Sequence, residues 1–276
     1  MKIVVISGAG DYPRLIVEGA KRALVERVDV LAVRGSAGRA TKKAADAVKT
    51  FGIGEIATGI KWIASQNYDG AILAGQVNPL SLFRSRFDAQ TRAWLREMPA
   101  KTAHTLFGKL VEELEKAGVR ILPASLYMED NIPGEGLLSS RAPDETEMRD
   151  IAHAERVARD MGVHDVGQTV MVKSGMVLAV EAFEGTNAAI RRGGRLGGKG
   201  AVVFKAARDG HDMRFDIPVV GLKTFKTMKK AGAKVLALQA GRTIFLDREK
   251  ALAFADRHGI AVVGVRTDLP PAPTRI

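Results

Sequence analysis

Short, almost wholly apolar runs recur along this chain, each closed by a glycine or a polar turn, and helical patterns lie between them. Lys2–Ser7, Val28–Val33 and Gly70–Gly75 are such runs in the first half, and Ala201–Lys205, Lys234–Gln239 and Ile260–Val265 are their counterparts in the second. A short run that is apolar on both faces reads as a strand covered by helices. The intervening Tyr12–Arg27 carries Leu15, Ile16, Ala20, Ala23 and Leu24 at helical spacing. Gly52–Gln66, Ala89–Met98, His104–Ala117, Lys223–Ala231 and Asp247–His258 read the same way, and Pro143 with Asp144 opens a helix that runs to about Met161. This alternation predicts an α/β protein, with an N-terminal Rossmann-like open sheet followed by a C-terminal α/β domain. Asp130–Ser140 holds a proline and two glycines and has no periodicity, so the division is placed there, giving domains 1–131 and 132–276.

Composition narrows the partners. With 276 residues, 46% of them hydrophobic and 26% charged, the chain can bury a substantial core. Cysteine is absent, which excludes disulfides and thiolate metal sites and suits a reducing compartment. No run approaches the ~18 apolar residues that would span a bilayer. The opening MKIVVISGAG breaks into glycine and Asp11, so it reads as a first strand rather than a signal peptide, and a cytoplasmic protein is expected. A net charge of +11 favours anionic partners. The bases are dispersed among acids and aromatics are only 5%, which places phosphorylated substrates and lipid headgroups ahead of nucleic acid, and no nucleic-acid partner is expected.

Two junctions in the first half point to a ligand. Gly8-Ala9-Gly10 follows the first strand and opens a helix. A dinucleotide fingerprint would need glycine at position 13, where Pro13 stands, so the turn reads instead as a nest of backbone amides for an anion. Gly70–Gly75 runs into Gln76-Val77-Asn78-Pro79, a second junction expected on the same sheet edge.

The stretch Asp165–Gly221 is richer still. Thr169–Val172 and Met176–Ala182 read as paired strands joined at Lys173-Ser174-Gly175. Glu181 and Glu184 lie where the second run ends, placed to ligate a metal or orient a lysine, although Glu184 can equally cap a helix beginning near Thr186. Gly193–Gly200 (GGRLGGKG) approaches the phosphate-loop pattern but ends in Gly200 where a hydroxyl is needed, and a strand follows where a helix should. It is expected to be a flexible glycine-rich loop, either exposed or folded over phosphates. Asp216 precedes the apolar Ile217-Pro218-Val219-Val220. Its local pattern is that of a turn or cap, yet phosphoryl transfer to water needs a carboxylate that takes a proton or holds a metal, with bases such as Lys199 and Lys205 on the phosphates. The histidines form no paired motif and no serine is framed as GxSxG, which argues against zinc and serine-esterase chemistry.

Asp150–Thr186, Gly197–Phe225 and Leu246–Val265, together with ISGAGDYP (Ile6–Pro13), FGIGEI (Phe51–Ile56) and AGQV (Ala74–Val77), carry a resemblance over nearly the whole chain. They resemble the LpxI-type UDP-2,3-diacylglucosamine pyrophosphatases of lipid A biosynthesis. The resemblance implies hydrolysis of a lipid-linked nucleotide sugar to UMP and 2,3-diacylglucosamine 1-phosphate (lipid X), with water attacking the β-phosphorus and a divalent cation, usually magnesium, required. It implies two α/β domains around a central chamber, and a homodimer. The family's essential aspartate lies in a D-[apolar]-P motif, here Asp216-Ile217-Pro218, so Asp216 becomes the expected catalytic residue and metal ligand, with Glu184 a second ligand. Gly8, Gly10, Gly75 and Gln76 are the expected substrate contacts of the first half. Gln168, Thr186, Asn187, Lys199 and Lys205 are those of the second. Asn187 stands where the family commonly has aspartate, which keeps hydrogen bonding and loses charge; a non-catalytic binding protein of the same fold is the alternative. The basic balance suits peripheral contact with an anionic inner-membrane surface.

Overall fold

The computed structural model describes residues 1–77, 85–98, 103–208, 210, 212–215 and 217–267. The chain divides into two compact units, Met1–Met128 with Met213–Asp216, and Glu129–Asp212 with Ile217–Ile276.

The first unit is built on β1 (Lys2–Ser7), β2 (Arg27–Val33), β3 (Val48–Phe51) and β4 (Gly70–Ala74). They form a parallel sheet in the order β3-β2-β1-β4. Its helices are α1 (Tyr12–Arg22), α2 (Arg39–Ala44), α3 (Ile56–Ala64), α4 (Ala89–Glu97) and α5 (Ala103–Lys116). Strand side chains alternate between faces. Val4, Leu31, Ala71 and Leu73 thus meet Ile60 and Ile63 of α3 and Val111 and Leu114 of α5. On β1 and β2 lies α1, which buries Ile16, Val17 and Ala20.

Three local outcomes differ from the sequence pattern. Helix α1 stops at Arg22 rather than Arg27, because Leu24 turns to a positive φ of 58° and releases the chain into β2. Val119–Pro123 contributes one bridge, Ile121 to Ala71, in place of a strand. Strand β3 escaped notice because it is exposed along most of its length and reads as polar.

The second unit contains β5 (Gly136–Leu137), α6 (Glu145–Val163), β6 (Thr169–Lys173), β7 (Met176–Val180), α7 (Thr186–Gly197) and β8 (Val202–Lys205). There follow β9 (Val219–Val220), α8 (Leu222–Ala231), β10 (Val235–Gln239), β11 (Ile244–Phe245), α9 (Arg248–Arg257) and β12 (Ala261–Val265). The main sheet has six strands in the order β5-β12-β10-β8-β6-β7. Its central β8, β10 and β12 are parallel, while β6, β7 and β5 run antiparallel to their neighbours. One face packs Val203, Leu236 and Leu238 against Ile190 of α7, Phe225 and Met228 of α8, and Ala251 of α9. The other packs Val202, Phe204, Val235 and Ala237 against Ile151 and Ala154 of α6.

Local signals place α6 and the hairpin. Asp144 accepts the Glu147 N–H at 2.8 Å and the Glu147 carboxylate accepts the Asp144 N–H at 2.9 Å, a reciprocal cap. The hairpin turn needs positive φ at both Ser174 and Gly175. The buried Asp150 carboxylate accepts both of their N–H groups at 2.7 Å, tying the β6–β7 turn to α6.

The largest departure is the glycine cluster. Gly193, Gly194 and Gly197 are not in a loop but inside α7. A Cβ at Gly193 would come within 2.4 Å of Met171 Sδ, at Gly194 within 2.5 Å of the Ala231 carbonyl, and at Gly197 within 2.3 Å of Leu178 Cδ1. These glycines let α7 lie closely on β6, β7 and α8. Only the short turn of residues 198–200 lies beyond α7, exposed at Gly198 and Lys199; over most of the stretch, what the pattern recorded is close packing.

Candidate active site

In an open sheet the carboxyl ends of parallel strands leave a crevice where ligands bind. In the second unit that edge gathers the end of β8 (Lys205) and the end of β10 (Gln239). The start of antiparallel β6 (Thr169), the residue after β7 (Glu181) and the first turn of α7 join them. Lys205 is 4% exposed. Its ammonium donates to Thr186 Oγ1 at 2.7 Å and to Thr169 Oγ1 at 3.4 Å, and lies 3.8 Å from the Glu181 carboxylate. Thr186 Oγ1 in turn donates to Glu181 at 2.9 Å. Glu181 therefore orients the lysine through a hydroxyl, one of the two roles its sequence position suggested.

Helix α7 opens here without a side-chain cap, Gly185 being its N-cap at φ 80°. The first intrahelical bonds run from Ala188 and Ala189 to the Gly185 carbonyl. The amides of Thr186 and Asn187 thus face the edge with no backbone acceptor, and Asn187 Oδ1 is buried without a hydrogen-bond partner among the described residues. An uncapped helix start beside a buried ammonium is a ready place for an anion. Gln168 adjoins it, its carbonyl accepting the Ala206 N–H at 3.0 Å. The side chain of Gln239 accepts the Ala207 N–H at 2.9 Å and donates to Thr267.

The structure thus brings Gln168, Thr186, Asn187 and Lys205 together. Lys199 is apart from them: it precedes the amino end of β8, whereas Lys205 closes the carboxyl end, and it is exposed after α7. Glu184 does not cap α7. It pairs with Arg192, and that hydrogen bond first of all holds its carboxyl below the usual range. Among the described residues no three acidic or imidazole side chains cluster as a metal cage. Asp216 lies outside the described residues. Thr169 and Gln239 were not anticipated; the available signal was a polar residue at the end of an apolar strand.

In the first unit Gly8 and Gly10 lie beside Gly75 and Gln76, because β1 and β4 are parallel neighbours. The Gly8 N–H donates to the Ala74 carbonyl at 2.8 Å and the Ala9 N–H to the Gln76 carbonyl at 2.7 Å. Those two amides are spent within the fold, which leaves an anion nest here to the Gly10 amide and the first turn of α1, whose N-cap Asp11 makes no side-chain cap bond. A Cβ on Gly8 would sit 2.5 Å from the Gln76 carbonyl oxygen, so close contact of the two loops by itself requires that glycine. Beside this junction opens an apolar cavity of about 120 Å³ within the same unit.

Fold and site define an α/β protein with two sheet units, the second equipped to hold an anion at its carboxyl edge. The model of the LpxI N-terminal domain matches residues 2–131 and that of the LpxI C-terminal domain residues 134–263; this chain belongs to the LpxI family. It is 33% identical over 228 residues to the UDP-2,3-diacylglucosamine pyrophosphatase LpxI of Caulobacter vibrioides, a match covering 78% of this chain and 80% of that one. Among solved structures, the ADP-bound biotin carboxylase domain of a thermophilic 2-oxoglutarate carboxylase aligns at 10% identity and a TM-score of 0.28, over 62% of this chain and 34% of its own. The biotin carboxylase subunit of pyruvate carboxylase aligns at 12% and 0.29, over 66% and 38%. Scores this low transfer nothing to the present chain.

Proposed function

We propose that this chain is a hydrolase of lipid A biosynthesis that splits the diphosphate of UDP-2,3-diacylglucosamine into UMP and 2,3-diacylglucosamine 1-phosphate. Family membership and the Caulobacter relative support the reaction. The structural observation that carries the reading is Lys205, a buried ammonium oriented by Thr186 and Glu181 beside the uncapped start of α7. Two negatively charged phosphates need such donors, and in a partly dry crevice these act far more strongly than in water. Water adds its oxygen to the β-phosphorus; the bridging P–O bond breaks towards UMP, and a carboxylate accepts the water's proton. Asp216, in its D-I-P motif, is assigned that role or the holding of a cation. Lys205 and the Thr186 and Asn187 amides steady the phosphate charge.

A magnesium ion belongs to the same reading. Glu184 is engaged by Arg192 and Glu181 by Thr186 and Lys205, so the described carboxylates offer no cage. Magnesium is commonly held by one or two carboxylates, substrate phosphates and water, and Asp216 with the diphosphate would suffice. Bound there, the ion would neutralise phosphate charge. No helix among the described residues is long and apolar enough to cross a membrane. By the family resemblance the reading also takes the protein to be a cytoplasmic homodimer, its net charge of +11 drawing it to the anionic inner-membrane surface that holds its amphiphilic substrate.

UMP release from UDP-2,3-diacylglucosamine, with magnesium or with EDTA, tests the proposal in wild type and Asp216→Ala. Magnesium-dependent release that falls by roughly 10²–10⁴ in a folded variant supports it. A folded wild type that binds the substrate and releases no UMP would make this a binding protein instead.

A further inference from the structure

The cavity of the first unit opens at the carboxyl ends of β1, β2 and β4, and is closed by α3 and α5. Its wall is largely hydrocarbon, with Phe51, Ile56, Ile60, Phe107, Leu110 and Gly8 among the lining residues. Among the described residues Glu55 is the one ionisable side chain in that lining, and its carboxylate accepts the Gly52 N–H and pairs with Arg34. An apolar cavity of this size suits an apolar ligand. The crevice position is a ligand position in open sheets; the Gly8 and Ala9 amides beside it are spent, and the cavity wall itself is apolar.

Gly59 lines the cavity from the middle of α3. It has no positive φ, and a Cβ there would meet nothing nearer than Leu31 Cδ2 at 3.7 Å and Phe51 at 3.9 Å, ordinary contacts. Neither the backbone nor the packing requires glycine, and a glycine inside a helix weakens it relative to alanine. What its missing side chain does is leave the cavity open over α3.

We infer that this cavity takes the methyl end of an acyl chain of the substrate, and that Gly59 sets the chain length it accepts. The inference rests on the proposed diacylglucosamine reaction, whose substrate carries hydrocarbon that must be shielded from water. Each methylene kept out of such a pocket costs roughly fourfold in binding. A larger side chain at Gly59 therefore penalises long chains and leaves short ones alone.

The test compares kcat and KM for UMP release from UDP-2,3-diacylglucosamine carrying long acyl chains and from the analogue carrying butyryl chains. For Gly59→Leu, KM for the long-chain substrate should rise by roughly tenfold or more while the butyryl analogue keeps its wild-type constants. Gly59→Ala should shift in the same direction by a smaller factor and melt no lower than wild type, which separates a filled pocket from a damaged fold. A Gly59→Leu protein that keeps the wild-type ratio of long to short substrates overturns the inference and leaves the reaction standing. A wild type that hydrolyses neither substrate overturns the reaction itself.

Discussion

The two sheet edges of this molecule obey one topological rule and carry opposite chemistry. In the first unit the carboxyl ends of β1 and β4 are sealed by each other's loops, and what remains open is apolar. In the second, the corresponding ends of β8 and β10 carry Lys205 and Gln239, and α7 starts there with free amides. Parallel strands decide where a crevice forms; the residue that ends each strand decides what it can hold. Serine and glycine at the end of β1 let the backbone close on itself, whereas a lysine at the end of β8 keeps a charge where backbone alone would leave a wall.

Replacing that lysine converts the second edge into something like the first, and the largest effect is expected there. Lys205→Met removes an ammonium bonded to Thr186 and near Glu181. Catalytic efficiency for UMP release should fall by roughly 10²–10³. Removing one member of a buried pair also destabilises, by about 3–5 kcal/mol in strong cases, so Lys205→Met with Glu181→Leu is the companion variant. If that double variant is fully active, the pair has no catalytic role, and the contrast between the edges has no functional meaning.

A smaller effect is expected at the far end of the same strands. Asp150 accepts the Ser174 and Gly175 amides and so anchors the hairpin whose other end presents Thr169 and Glu181. Asp150→Ala leaves two amides without that carboxylate and should lower unfolding free energy by about 2–3 kcal/mol in denaturant titration. If the polar edge depends on a rigid hairpin, kcat falls while the fold persists at low temperature. An unchanged kcat would mean that α7 alone positions Thr186.

Much of this was legible because it is local. Pro143 with Asp144, Ser174-Gly175, and the apolar runs that became β1, β4, β8, β10 and β12 announce themselves over a few residues, and each has its own physical cause. The adjacency of Gly8 and Gly75 followed from two parallel strands with like endings. The glycines of α7 were misread because a glycine that makes room for Met171 looks, in sequence, the same as one that loosens a loop. Only the partner distinguishes them, and the partner is remote. Lys199 and Lys205 looked equivalent for a similar reason: the strand between them sends them to opposite edges, and Thr169 joined the site through an antiparallel neighbour that no motif connects to Lys205.

Glu184 gives the smallest and most discriminating test, because it sits near Glu181 in sequence and has a different partner. Arg192 holds its carboxyl below the usual range, so the pair's contribution is present above the ordinary glutamate range and is lost as pH falls through the lowered folded value. Both side chains are partly exposed, and such pairs contribute about 1 kcal/mol or less. Glu184→Gln should therefore be slightly less stable than wild type at neutral pH, and the gap should close on acidification. Its magnesium requirement for UMP release should be unchanged, because Arg192 rather than a cation occupies that carboxylate. A variant that instead needs far more magnesium would return Glu184 to the metal and move the charged edge one loop beyond Lys205.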